Sequence, residues 1–252
     1  MIGSSGADAQ DIRPVHPGPA GRSPFTRTSP LPRLAHMSGQ RDLAHRLLTA
    51  HGRTFAADAA ITLRDKPAPL WQLLVLSLLL STRISSDIAV ATARELFSAG
   101  WRTPGHLRES TWQERVDALG RGGYRRYDES TATRLDDAAA LLLDRWKGDL
   151  RRLRDEAESD PRRIAELLQT FDGIGPTGAN IFLREVQQVW PAVRPFADDL
   201  VLRGARAAGL PQDAESLAGL VDEDDFAGLA SALVRIARDP DLLHRDGDEP
   251  SA

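Results

Sequence analysis

The sequence predicts an all-α fold. Apolar residues recur at helical spacing along most of the chain. No segment alternates apolar and polar residues as a half-buried strand would. Aromatics make up only 6% of a chain rich in Ala, Leu and Arg, which favours helix over strand. With 252 residues and 41% hydrophobic content, the chain can bury one large core or two small ones.

The elements follow in order. Residues 1–38 are rich in Pro, Gly, Ser and Arg without periodicity, and are expected to be a disordered extension. Met37 is an alternative start, which would leave residues 1–36 outside the native protein. From Arg41 the pattern turns helical, with Leu43, Leu47 and Leu48 on one face. Ala56 to Leu63 reads as a short helix or an extended lead-in, and Pro67-Ala68-Pro69 as a break. Trp71 to Leu80 is apolar nearly all round, so it predicts a buried central helix, with Ser77 bonding its own helix. Ser85, Ser86 or Asp87 caps the next helix, which runs to about Phe97. Pro104 opens a helix from His106 to Leu119, followed by a glycine-rich loop, Gly120 to Gly123. Thr133 to Arg145 is a long Ala- and Leu-rich helix. Asp160 caps and Pro161 starts another. Leu200 to Ala208 and Asp224 to Ile236 close the helical series before an acidic tail, 239–252.

Composition narrows the chemistry. The formal net charge of −4 is not the overall sign of a nucleic-acid binder, although the tail's Asp239, Asp241, Asp246, Asp248 and Glu249 dominate it. Basic residues cluster in one loop (Arg121, Arg125, Arg126), in a second (Arg151, Arg152, Arg154) and near Arg184, Arg194, Arg203 and Arg206. Each cluster reads either as a binding patch or as a solvated helix face. Arg125 and Arg126 lie between Tyr124 and Tyr127, a combination suited to a phosphate backbone and its bases. The absence of cysteine excludes disulfides, cysteine-ligated zinc and iron–sulfur clusters. His106 and His244 stand alone, without metal-ligand spacing, so no metal site is expected. Trp71, Trp112, Trp146 and Trp190 read as core aromatics or as one stacking residue among them. The N-terminus has no apolar h-region, and Leu73 to Leu80 is too short to span a membrane, so a cytoplasmic monomer is expected.

The most informative segment runs from Leu167 to Asn180: an apolar helix end, then Phe171, Asp172, Gly173, Ile174, Gly175, then a helix opened by Pro176. Two glycines around an apolar residue make a tight turn, and the free N–H groups of Gly173, Gly175 and the next helical turn offer an anion site. Ala179-Asn180, Trp190-Pro191 and the acidic pair Asp198 and Asp199 follow. Upstream stand Leu78-Leu79-Leu80-Ser81-Thr82-Arg83 and Gly122-Gly123-Tyr124-Arg125-Arg126.

This ordered set resembles the helix-hairpin-helix (HhH-GPD) DNA glycosylase superfamily, the endonuclease III group, over roughly Leu70 to Leu210. The resemblance implies two lobes: a terminal lobe of 39–68 plus 191–238, and a helical barrel of 69–190 containing the helix-hairpin-helix at 161–190. The active cleft would lie between them. Double-stranded DNA with a damaged or mismatched base is the implied partner. Gly173, Ile174, Gly175, Thr177 and Gly178 of the hairpin would bind it, with Arg83, Tyr124, Arg125 and Arg126. Asp198 matches the catalytic carboxylate of the family, which stabilises an oxocarbenium-like transition state and directs water; Asp199 takes that role if the register is off by one. Asp198 also reads as a helix N-cap, and both roles are compatible. Arg83 falls where relatives place a glutamine that fills the gap left by a flipped base, and reads equally as a surface arginine at a helix end. The resemblance also implies a monovalent cation on the hairpin's carbonyls, and no other cofactor.

The chain departs from the family pattern in three places. The four-cysteine cluster of many relatives is missing. Thr177 replaces the lysine that forms a Schiff base, and the only lysines, Lys66 and Lys147, lie elsewhere, so a lyase route is not expected. Ser77 stands where the adenine-excising branch has a glutamate. Three functions remain open: a monofunctional glycosylase, a DNA-binding relative without catalysis, and a helical interaction protein without a nucleic-acid role.

Overall fold

The computed structural model describes residues 32–245, which form fourteen α-helices and two 3-10 turns. Among these residues there is no strand. The expectation for residues 1–31 and for the tail beyond residue 245 lies outside the described residues.

Two groups of helices share one continuous core. The first joins both ends of the chain: α1 (Pro32–His51) and α11 (Asp199–Ala207) pack on α13 (Phe226–Arg238), with α2 (Phe55–Asp58) and α12 (Ala214–Ala218) beside them. The second is built around α3 (Pro67–Leu80), whose residues Leu70, Trp71 and Leu73 to Leu80 are all buried. Around it stand α4 (Ser86–Ser98), α5 (Pro104–Arg108), α6 (Trp112–Arg121), α7 (Asp128–Trp146), α8 (Leu150–Glu156), α9 (Pro161–Leu168) and α10 (Pro176–Val186). A turn of helix, α14 (Leu242–Arg245), follows α13. No helix among the described residues is long and apolar enough to cross a membrane.

Several sequence expectations need correction. Residues 32–38 are helical rather than disordered, because Pro32 is tolerated in a first turn and Arg33-Leu34-Ala35 propagate helix well. Pro67 and Pro69 do not break the chain; Pro67 opens α3 at a position where the missing N–H costs nothing. The segment from Pro104 to Leu119 is two helices. Thr111 and Glu114 form a reciprocal capping box that starts α6 afresh. Arg151, Arg152 and Arg154 are not in a loop. Asp149 caps α8, and Leu150, Leu153 and Ala157 bury one face of it. Residues 242–245 of the expected acidic tail are helical.

Ser77 is fully buried and donates to the Leu73 carbonyl at 2.8 Å, so it belongs to the helix and not to a site. Trp71, Trp146 and Trp190 are core residues, whereas Trp112 is 41% exposed.

Helix α11 packs closely on α13. A Cβ placed on Gly204 would lie 1.9 Å from the Leu233 carbonyl oxygen, a backbone atom that cannot yield. Gly204→Ala is therefore expected to lower stability by about 1–3 kcal/mol through overpacking, read as a lower urea midpoint with little change in m-value.

Candidate functional site

The hairpin joins α9 to α10. Gly173 has φ of +84°, a left-handed conformation that favours glycine, and a Cβ there would also meet Arg134 Cδ at 2.9 Å. Ile174 turns inward and is buried; its contribution to any ligand is through its backbone. Gly175 serves as N-cap of α10 but has no side chain with which to cap. The N–H groups of Thr177 and Gly178 consequently take no partner among the described residues; Thr177 is exposed, whereas Gly178, expected to contact DNA, is buried against Ile174 and Ser81.

Three of the sequence motifs converge here. An open depression of about 650 Å³ is lined by Ser81 and Thr82 at the end of α3, by Arg134 of α7 and by the hairpin from Gln169 to Gly175. Tyr124 Oη donates to Thr82 Oγ1 at 2.9 Å, which ties the Gly122–Arg126 loop to the same end of α3. Arg83, Arg125 and Arg126 flank these anchors; all are exposed, and among the described residues none of them forms a salt bridge. Arg126 lies over the Tyr127 ring at 5.4 Å. Tyr124 itself requires a correction. It is 1% exposed, so its ring cannot stack on a base; its hydroxyl ties its loop to Thr82 and Thr131 instead.

In the other basic clusters Arg152 and Arg203 are exposed without a salt bridge among the described residues, and the rest are paired. Arg151 is bound to Asp149, and Arg154 to Asp65 and Asp155. Arg194 donates to the carbonyls of Gln187 and Gln188, and Arg206 to Gln212. Arg121, the last residue of α6, pairs with Glu95.

Asp198 lies at the entry to α11 and does not line the depression. Its Oδ1 accepts the Val201 N–H at 3.2 Å, so it is the N-cap that its sequence position suggests. Its side chain is 11% exposed, and Arg184 Nη1 stands 3.7 Å from Oδ1. Asp199 is exposed at the first position of α11, without a salt bridge among the described residues. Arg184 follows Thr177 by seven residues, so both lie on one face of α10, about 10 Å apart along its axis. Gln187, fully buried one turn on, fixes the approach to Asp198: its amide donates to the Phe196 carbonyl at 3.1 Å and accepts the Phe196 N–H at 2.9 Å.

The sequence reading missed Arg134, Gln187 and Glu185. Arg134 holds Asp172 at the hairpin entrance, 3.4 Å away. Glu185 is fully enclosed and accepts from Phe55 N–H (3.3 Å), Ala56 N–H (2.8 Å) and the Ser231 hydroxyl (3.2 Å). A signal was present: Glu185 falls off the Thr177–Asn180–Arg184 side of the helix, among Ile181, Phe182 and Val186, where a carboxylate needs buried donors. Among the described residues, no group of three or more His, Asp or Glu could hold a metal ion. With no cysteine in the chain, a thiolate-bound cluster does not fit.

The architecture defined by these observations is a two-lobed helical fold with a helix-hairpin-helix at its centre. No protein-family model matches the sequence, and no curated protein matches it. Solved structures do match. A non-covalent endonuclease III–DNA complex aligns with a TM-score of 0.50 and 17% identity, over 82% of this chain and 86% of that chain. A trapped endonuclease III–DNA covalent intermediate, an estranged-adenine complex, aligns with a TM-score of 0.47 and 18% identity, over 80% and 84%. The chain has the endonuclease III fold, without the cysteines of an iron–sulfur cluster.

Burial pushes the Glu185 carboxyl above its ordinary 4.5, against the pull of the Ala56 N–H, the Arg184 charge, the Phe55 N–H and Ser231. The folded protein thus keeps a proton at pH values where the unfolded chain has released it. Raising the pH through that window favours the unfolded state, so this contribution to stability falls as pH climbs from about 4.5 and levels off once Glu185 ionises in the folded protein. A pH series of urea midpoints is expected to show this slope in wild type and to lose it in Glu185→Gln, whose cost from one lost acceptor is independent of pH.

Proposed function

We propose that this protein is a monofunctional DNA glycosylase of base excision repair. It binds duplex DNA and hydrolyses the N-glycosidic bond of a damaged or mismatched base. The observation that carries this reading is the place of Asp198: a largely buried carboxylate at the head of the helix that follows the hairpin unit, within an endonuclease III fold.

In the proposed reaction the C1′–N bond breaks and the base leaves with the bonding electron pair. The sugar passes through an oxocarbenium-like state whose charge Asp198 stabilises. Water then attacks C1′, and its proton passes to Asp198 or to solvent. Thr177 supplies a hydroxyl where an imine-forming amine would be needed, so the abasic strand stays intact. The hairpin N–H group of Thr177 would receive a backbone phosphate, and the exposed Arg83, Arg125 and Arg126 would add charge to the DNA contact. A monovalent cation on the hairpin carbonyls belongs to this proposal, as does action as a monomer.

The test is base release from a panel of damaged and mismatched duplexes, with alkali used to reveal uncut abasic sites. Wild type is expected to release one class of base, and Asp198→Asn to be slower by about 10²–10⁴-fold with DNA binding retained. Borohydride is expected to trap no covalent adduct; an adduct would overturn the monofunctional assignment. DNA binding without release from any duplex would make this a non-catalytic DNA-binding protein of the same fold. For Arg83→Ala, processing of duplex is expected to drop more than that of single-stranded DNA, because the gap left by a flipped base exists only in the duplex. Equal losses on both would remove Arg83 from that role.

A further inference from the structure

The buried arginine of α10 is not explained by packing. Arg184 is 7% exposed and surrounded in sequence by Ile181, Phe182, Leu183 and Val186, all buried. Burial pulls its guanidinium below its ordinary range, opposed by the charges of Asp198 and Glu185 and reinforced by Arg238. A buried guanidinium kept for stability is expected to share a bidentate, hydrogen-bonded contact with a carboxylate. Arg184 does not. Its Nη1 has no hydrogen-bond partner among the described residues, and its 3.7 Å approach to Asp198 Oδ1 is an ion-pair distance too long for a hydrogen bond. Glu185, the adjacent carboxylate, is held by its own three donors.

The loop that carries Asp198 does not need Arg184 to hold its shape. Gln187 already clamps both backbone groups of Phe196, two residues before Asp198. The Val201 N–H fixes Asp198 as a cap. What Arg184 adds is a positive charge beside Oδ1, the same oxygen that the cap uses. Oδ2 takes no hydrogen bond among the described residues. The carboxylate is divided into an oxygen that is held and an oxygen that is left uncommitted.

We infer that Arg184 is a positioning residue for Asp198, held in the core at a cost in stability so that Oδ1 is fixed and Oδ2 faces the reaction. This inference rests on Asp198 being the reacting carboxylate. It gives Arg184 a signature opposite to that of a structural residue: removing a desolvated, incompletely bonded cation relieves the fold while it impairs the chemistry.

The experiment compares wild type, Arg184→Met, Arg184→Lys, Asp198→Asn and the Arg184→Met/Asp198→Asn double variant. The readouts are melting temperature, DNA affinity and single-turnover base release at saturating enzyme. Arg184→Met is expected to melt at or above wild type, to bind DNA with unchanged affinity and to release base at least about tenfold more slowly. Arg184→Lys is expected to recover part of the rate. In the double variant the loss is expected to be no greater than in Asp198→Asn alone, because the arginine acts through that carboxylate. A fall in melting temperature that accompanies the loss of rate would show a structural residue and overturn the inference, as would an unchanged rate. Should Asp198→Asn keep the wild-type rate, or wild type release nothing, the catalytic reading of Asp198 fails by itself. The pairing is then decided by the 13C shift of the Asp198 carboxyl group: a change in Arg184→Met supports Arg184 as the group that holds it, and an unchanged shift overturns it.

Discussion

Glu185 projects from α10 into a fully buried space, where its two oxygens take the N–H groups of Phe55 and Ala56 and the hydroxyl of Ser231. Phe55 and Ala56 begin α2, and Ser231 belongs to α13, so one side chain of the hairpin helix closes a contact between the two ends of the chain and its middle. Those N–H groups lie at a helix start, where no intrahelical partner exists; without the carboxylate they would be buried and unbonded. Two further ties lie alongside. Arg235 of α13 reaches Asp58 and the His51 carbonyl and covers the Phe55 ring at 4.4 Å. Asp65 joins Trp190 to Arg154 of α8. Glu185, fully buried, and Asp65, at the surface, thus tie the terminal lobe to the barrel, whereas Arg235 braces the terminal lobe internally.

The same helix organises the candidate site. Its first turn presents the hairpin's free N–H groups, its third turn carries Arg184 beside Asp198, and Gln187 immediately beyond it holds the loop that leads to Asp198. Arg134 and Thr82 bring in the barrel, and Tyr124 brings in the arginine-bearing loop. Charge at this surface is local. A chain with a net negative charge still leaves Arg83, Arg125 and Arg126 exposed and without salt bridges among the described residues, while Arg151, Arg154 and Arg194 are spent on carboxylates and carbonyls.

Much of this was legible in the sequence. The apolar run of α3 reads as a buried helix, Asp160 and Asp198 read as caps because cap chemistry is local, and Ser85 is one of three adjacent cap candidates. The spacing of the hairpin glycines fixed their turn. The two-lobed fold followed from motif order rather than from physical pattern. The failures have physical causes. The split between α5 and α6 hinged on a capping box that apolar periodicity passes over. Tyr124 was read as a ligand contact because an aromatic beside two arginines looks the same in sequence whether its ring points out or in. The pairings Glu185 with α2 and Arg134 with Asp172 join residues far apart in the chain, and no local pattern encodes them.

One consequence of α10 concerns insertions. The helix is eleven residues long, and its two working ends are related by pitch alone. One extra residue between Thr177 and Arg184 would swing the hairpin by about 100° relative to Arg184 and Glu185 while lengthening the helix by only about 1.5 Å. Restoring the bearing takes about seven residues, which would carry the hairpin about 10 Å away from Ser81, Thr82 and Arg134. No insertion satisfies both bearing and reach. The stretch from Pro176 to Val186 is therefore a fixed gauge: in homologues that share this arrangement, changes of length belong in the loops on either side of it, and changes within it are substitutions alone.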